Sequence, residues 1–160
     1  MLIYLADMLS TFTRVESYAV SVRIRRGVWR KLRFSDLDMK SLVGLCELVE
    51  APYRFALYKR IADLCLFMLG LFPEYVERSF RYPFSGKPRP NIGPDPRINP
   101  AEYEQEGRRF YKIAAEHESA RQLELSDVFR ALHDHFQNAK KPLNFIAEHY
   151  LKSRRQMLFG

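Results

Sequence analysis

With 160 residues, 47% of them hydrophobic and 28% charged, the chain has the length and apolar content of one packed domain and is too apolar for a disordered one. Its 26 lysines and arginines against 19 aspartates and glutamates leave a net charge of +7, most of it carried by the first hundred residues; such a balance attracts anionic partners and also serves solubility alone. Cys46 and Cys65 stand among leucines outside any metal-ligand spacing, and with only 7 glycines and no phosphate-cradling or nucleophile-elbow motif, Gly-loop nucleotide binding and acyl transfer are set aside.

Leu2, Leu5, Ala6, Leu9 and Phe12 recur at helical spacing and predict an amphipathic helix over about residues 2 to 13. The period then changes to two, with Tyr18, Val20, Val22 and Ile24 alternating with polar or small residues. A β-hairpin over about 18–34 follows, its three-residue loop Arg25-Arg26-Gly27 pairing Ile24 with Val28, Val22 with Arg30, Val20 with Leu32 and Tyr18 with Phe34. A short helix over the same residues is the competing reading. Ser35 and Asp38 have capping-box spacing ahead of Met39, Leu42, Val43, Cys46 and Val49, which predicts a helix over about 36 to 50.

Pro52 suits a first helical turn and opens a helix to about Leu71. From Ile61 to Phe72 every residue except Asp63 is apolar or Gly, so this is read as the central helix, covered on all sides. The run stops at Pro73, short of the roughly 20 residues that cross a bilayer. The N-terminus has no secretory pattern, and the chain reads as cytoplasmic with no membrane contact.

The residues Asp63, Leu66, Phe67, Gly70, Phe72, Pro73 and Glu74, followed by Gly107, Phe110 and Tyr111, resemble a pattern in a group of uncharacterised bacterial proteins: a Leu- and aromatic-rich helix with one acid, ending Gly-x-Phe/Tyr-Pro-Glu, then a second Gly…Phe/Tyr-Tyr helix. The resemblance covers about residues 58–114 and implies no activity.

The segment of about 81–99 is irregular, because six of the nine prolines fall between Arg81 and Pro100. Asn99, Pro100 and Glu102 then mark a strong helix start, followed by Tyr103, Gly107, Phe110, Ala114 and His117 on one face, with Gly107 allowing a neighbour close. Ser126 is read as the cap of a helix carrying Val128, Phe129, Leu132, Phe136 and Ala139, and Pro142 as the start of a last one. No period recurs, so a repeat array is rejected. The expected architecture is a mainly α, single-domain bundle of about five or six helices over residues 1–160, with a small N-terminal β-hairpin.

Three places invite a functional reading. Asp63 needs a complementary group, since an unpaired carboxylate in an apolar helix costs several kcal/mol; an Arg, Tyr or helix N-terminus holding two helices in register is the plain reading, and a ligand or catalytic pocket with Tyr111 and His117 the sharper one. On the hairpin, Arg23, Trp29, Lys31 and Arg33 share a face, with Arg25 and Arg26 at the tip, a ribbon able to meet phosphates or carboxylates. The same charges also serve simply to keep an exposed strand edge from pairing with other chains. The proline-rich loop, with Lys87 and Arg89, reads either as a second contact or as a solvated linker. The four histidines lack metal-site spacing, and no metal and no cofactor is implied. The resulting expectation is a non-catalytic interaction protein for an acidic or otherwise anionic partner, with nucleic-acid binding and a pocket around Asp63 as alternatives; the sequence is silent on oligomeric state.

Overall fold

A computed structural model describes residues 1–12, 19–33, 38–81 and 98–152. The protein is mainly helical, with eight α-helices among the described residues. α1 (Leu2–Phe12) buries Tyr4, Leu5, Met8 and Phe12, while Leu2 is 69% exposed. The buried stripe is therefore rotated from the one expected. Leu, Ile, Ala and Met surround this helix on every side, so apolar spacing leaves its facing open, and the hydroxyl of Tyr4 finds a partner only inward.

β1 (Ala19–Arg25) and β2 (Val28–Arg33) pair antiparallel with Val20 opposite Leu32, Val22 opposite Arg30 and Arg23 opposite Trp29. Arg25 pairs with Val28, so the connection is the two-residue turn Arg26-Gly27 and not a three-residue loop. A register shift between Arg23 and Arg25 absorbs Ile24, and Gly27 takes φ 80°, a conformation that costs a glycine little. Tyr18 and Phe34, the expected outer pair, lie outside the described residues, as do Ser35 and most of the 81–99 segment.

α2 (Met39–Leu48) starts at Asp38, whose carboxylate accepts from the backbone of Lys40 and Ser41 at 3.1 and 3.4 Å. A 3₁₀ turn at Ala51–Tyr53 carries Pro52, and α3 (Phe55–Leu71) begins only after it. Residues 61–66 of α3 are all buried, and six consecutive positions cover the whole circumference of a helix. α3 packs chiefly on α5 (Pro100–Glu116), then on α8 (Phe136–Ile146) and α2, while α5 also packs on α7 (Ser126–Asp134). Pro73 ends α3 and opens α4 (Pro73–Arg81), and α6 (Glu118–Gln122) is a short turn after α5.

α5 has the capping box that its sequence predicts: Asn99 accepts from the Glu102 backbone at 2.8 Å and Glu102 accepts from the Asn99 backbone at 3.0 Å. Asn99→Ala is expected to lower the unfolding free energy by about 1 kcal/mol in a urea titration, with an unchanged m-value.

Two expected helix starts are corrected. Ser126 does not cap α7; the chain enters through Leu125, and Ser126 Oγ is buried without a hydrogen-bond partner. Pro142 lies inside α8, because the helix starts at Phe136 and needs Phe136, Ala139 and Leu143 on its buried side, a spacing that spans the proline. The single helix expected across residues 126–139 is thus two, broken at His135, and α8 runs on into a π-helical turn at Ala147–Leu151. These breaks, with α4 and α6, raise the helix count above five or six.

Candidate functional site

Asp63 is 1% exposed, on the turn of α3 where every neighbour is buried. Its carboxylate is met by three donors. The hydroxyls of Tyr4 and Tyr111 both donate to Oδ1, at 2.5 and 2.8 Å, and the ammonium of Lys59 lies 2.7 Å from Oδ2. Lys59 sits four residues earlier on the same helix, one turn away, and its stem carries the charge toward the surface: its side chain is 30% exposed against 2% for the aspartate. The ammonium also stands 5.1 Å from the centre of the Tyr4 ring. One carboxylate thereby ties α1, α3 and α5 together.

The surroundings are aromatic and buried. Phe129 is fully buried against both tyrosines, its ring centre 5.5 Å from that of Tyr4 and 5.8 Å from that of Tyr111. Burial first, and then the charge of Asp63, push both phenols far above the usual tyrosine value, so each remains a protonated donor. Burial likewise pushes the Cys46 thiol up to about 11 and the Cys65 thiol higher still, the opposite of what an activated cysteine needs.

His117 is not part of this cluster. It ends α5, where its Nδ1 accepts from the Ser119 backbone at 3.1 Å and caps α6, and its Nε2 lies 3.2 Å from the carbonyl oxygen of Ala51. The other histidines are equally dispersed: His133 and Arg108 each bond the other's carbonyl oxygen, and His149 stacks on Phe145 with ring centres 4.0 Å apart. No three metal-ligating side chains gather among the described residues.

Asp63 lines none of the three cavities that stand out among the described residues. With both oxygens occupied, the carboxylate suits cross-linking of helices better than proton transfer.

At the other end of the chain, Arg25, Arg26 and Trp29 are exposed around the β1–β2 turn, Trp29 by 63%. Arg23, Lys31 and Arg33 occupy positions on the two strands. Lys87 and Arg89 lie outside the described residues. No helix among the described residues is long and apolar enough to cross a membrane.

Sequence reasoning missed Tyr4 and Lys59. The signal for Lys59 was present, since a Lys four residues before a lone Asp on one helix is within reach of it; Tyr4 carried no such signal, because its partner is 59 residues away. No family model matches the chain, and neither a curated protein nor a solved structure matches it. The resemblance of residues 58–114 to uncharacterised bacterial proteins gains no support from these comparisons.

Proposed function

We propose that the protein works by binding, with the β1–β2 ribbon as a small hairpin on the single helical domain and its basic turn as the contact for an acidic protein. The observation that carries this reading is the exposure of Arg25, Arg26 and Trp29 together at the turn, in a chain of net charge +7. Two cations beside an indole form a surface able to take carboxylates and a flat apolar or aromatic side chain at once. The occupied, enclosed state of Asp63 speaks against chemistry at the most conspicuous acid of the core. Two free, buried cysteines agree with a reducing compartment, and the cytoplasm is the place we propose.

The test is recovery of partners from the native host with and without nuclease, repeated with the double variant Arg25→Glu, Arg26→Glu. Both side chains are exposed, so folding should be untouched. A nuclease-resistant partner whose affinity falls roughly tenfold or more with the reversal is the expected result, because like charges set against each other at an interface cost several kcal/mol. Unchanged affinity would remove the turn as the contact. Capture of generic DNA or RNA that weakens steeply with salt would instead make this a nucleic-acid-binding protein.

A further inference from the structure

Away from the ribbon and from Asp63, the end of α3, the first turn of α4 and the end of α8 enclose a cavity of about 400 Å³. Its size lies within the range of small-molecule sites, and its walls are apolar, with Phe72, Tyr75, Ala147 and Leu151 among them. Two backbone irregularities hold it open. Pro73 forces α3 to stop and α4 to start in a new direction, and the opposite wall is the π-helical turn Ala147–Leu151. A π-turn is a poor helix, and single π-turns within helices recur at functional sites.

The polar groups around this cavity are acceptors more than donors. Among the described lining residues, Glu74 and Glu148 stand against Lys152, a net charge opposite in sign to the chain's +7. Lys152 is already 3.4 Å from Glu74, whereas Glu148 forms no ion pair among the described residues. Asn144 also lines the cavity. Tyr75, 43% exposed, is another of its lining residues.

We propose that this cavity binds a small amphiphilic amine, its apolar tail between Phe72 and Leu151 and its ammonium beside Glu148. The site is independent of the proposed ribbon contact.

The proposal is tested on the full chain by amide NMR titration with 4-phenylbutylamine, 4-phenylbutyrate as the oppositely charged counterpart. The expected result is saturable shifts at Tyr75, Asn144 and Ala147 with the amine, and several-fold weaker binding of the acid. Glu148→Lys, at an exposed position, should reverse that preference while leaving the spectrum of the core unchanged. Ala147→Leu should block both probes by filling the space; should that variant fail to fold, the charge reversal alone decides. Equal affinity for the two probes, or shifts confined to other surfaces, would overturn the assignment. So would self-association that the same variants abolish, or probe uptake only after removal of residues 153–160, since the occupant would then be a second copy or the chain's own end.

Discussion

Asp63→Ala is expected to destabilise the protein by about 3–5 kcal/mol, the cost of breaking a buried charge pair by removing one partner. Two phenolic hydroxyls would be left facing a dry cavity, and only Lys59 has a way out to water. For a chain of this length the loss corresponds to a fall in Tm on the order of 10 °C. Asp63→Asn should cost less than Asp63→Ala, because the amide oxygen still accepts from both tyrosines and Lys59 can swing into solvent. Tyr4→Phe and Tyr111→Phe should each cost about 1.5–3 kcal/mol in the wild-type background, as hydrogen bonds to a charged acceptor do. In the Asp63→Ala background the same replacements should be close to neutral, the hydroxyls having lost their acceptor, and the double-mutant cycle reads the coupling directly. An Asp63→Ala protein that unfolds within 1 kcal/mol of the wild type would show that the carboxylate does not hold the three helices together.

The same cluster sets a pH dependence. Both tyrosines are raised in the folded state by burial and by the Asp63 charge. An unfolded chain gives up its phenolic protons near pH 10, whereas the folded one keeps these two. Their contribution to stability is therefore complete below about pH 10 and is lost as the pH climbs beyond it. The buried thiols add a loss of the same sign. Urea midpoints at pH 8 and pH 11 should differ less for Tyr4→Phe and Tyr111→Phe than for the wild type, which separates the phenols from the thiols.

How far the sequence anticipates this molecule depends on whether a feature is local. α5 is legible from its first three residues, because a capping box is satisfied within one turn. The enclosure of α3 is legible because an apolar run longer than one turn has no polar side to show. The need for a group opposite Asp63 follows from the cost of a buried charge, and a tyrosine was among the candidates. Which tyrosines was not readable. Tyr111 is present in the cluster, whereas His117, six residues further along the chain, falls on another side of α5 and at its end. The facing of α1 is not legible, because spacing alone does not choose among so many apolar residues; Tyr4, Leu5, Met8 and Phe12 turn inward together, with the Tyr4 hydroxyl on Asp63. Breaks without punctuation were also hidden: the chain parts α7 from α8 at His135 with neither Pro nor Gly, while Pro142 sits where no break occurs. The cavity beside the π-turn depends on three helix ends meeting, and no motif announces such a meeting.

Gly107→Ala is the substitution in which helix propensity and packing oppose each other most sharply. Alanine is the better helix former by about 1 kcal/mol, and Gly107 lies in the middle of α5. A Cβ at this position, however, would stand 2.8 Å from the Phe136 ring and 2.9 Å from Cβ of Cys65. Phe136 is 1% exposed and packs against Tyr111, and the Cys65 Cβ is fixed to the backbone of α3, so neither has room to yield alone. α3 and α5 must separate, and they are the most extensively packed pair of helices in the fold. Overpacking of this kind costs about 1–3 kcal/mol, to which the strain at the backbone-linked Cys65 adds, so a net loss of about 1–2 kcal/mol is expected despite the propensity gain. Gly44→Ala supplies the control: Gly44 is an exposed position of α2 with nothing within 4 Å of an added Cβ, and alanine there should stabilise by about 0.5–1 kcal/mol. The same chemical change is thus predicted to act with opposite sign on two helices. Urea midpoints moving in the same direction for both would mean that α3 and α5 are not in contact through Gly107, and the central packing described for the fold would have to be redrawn.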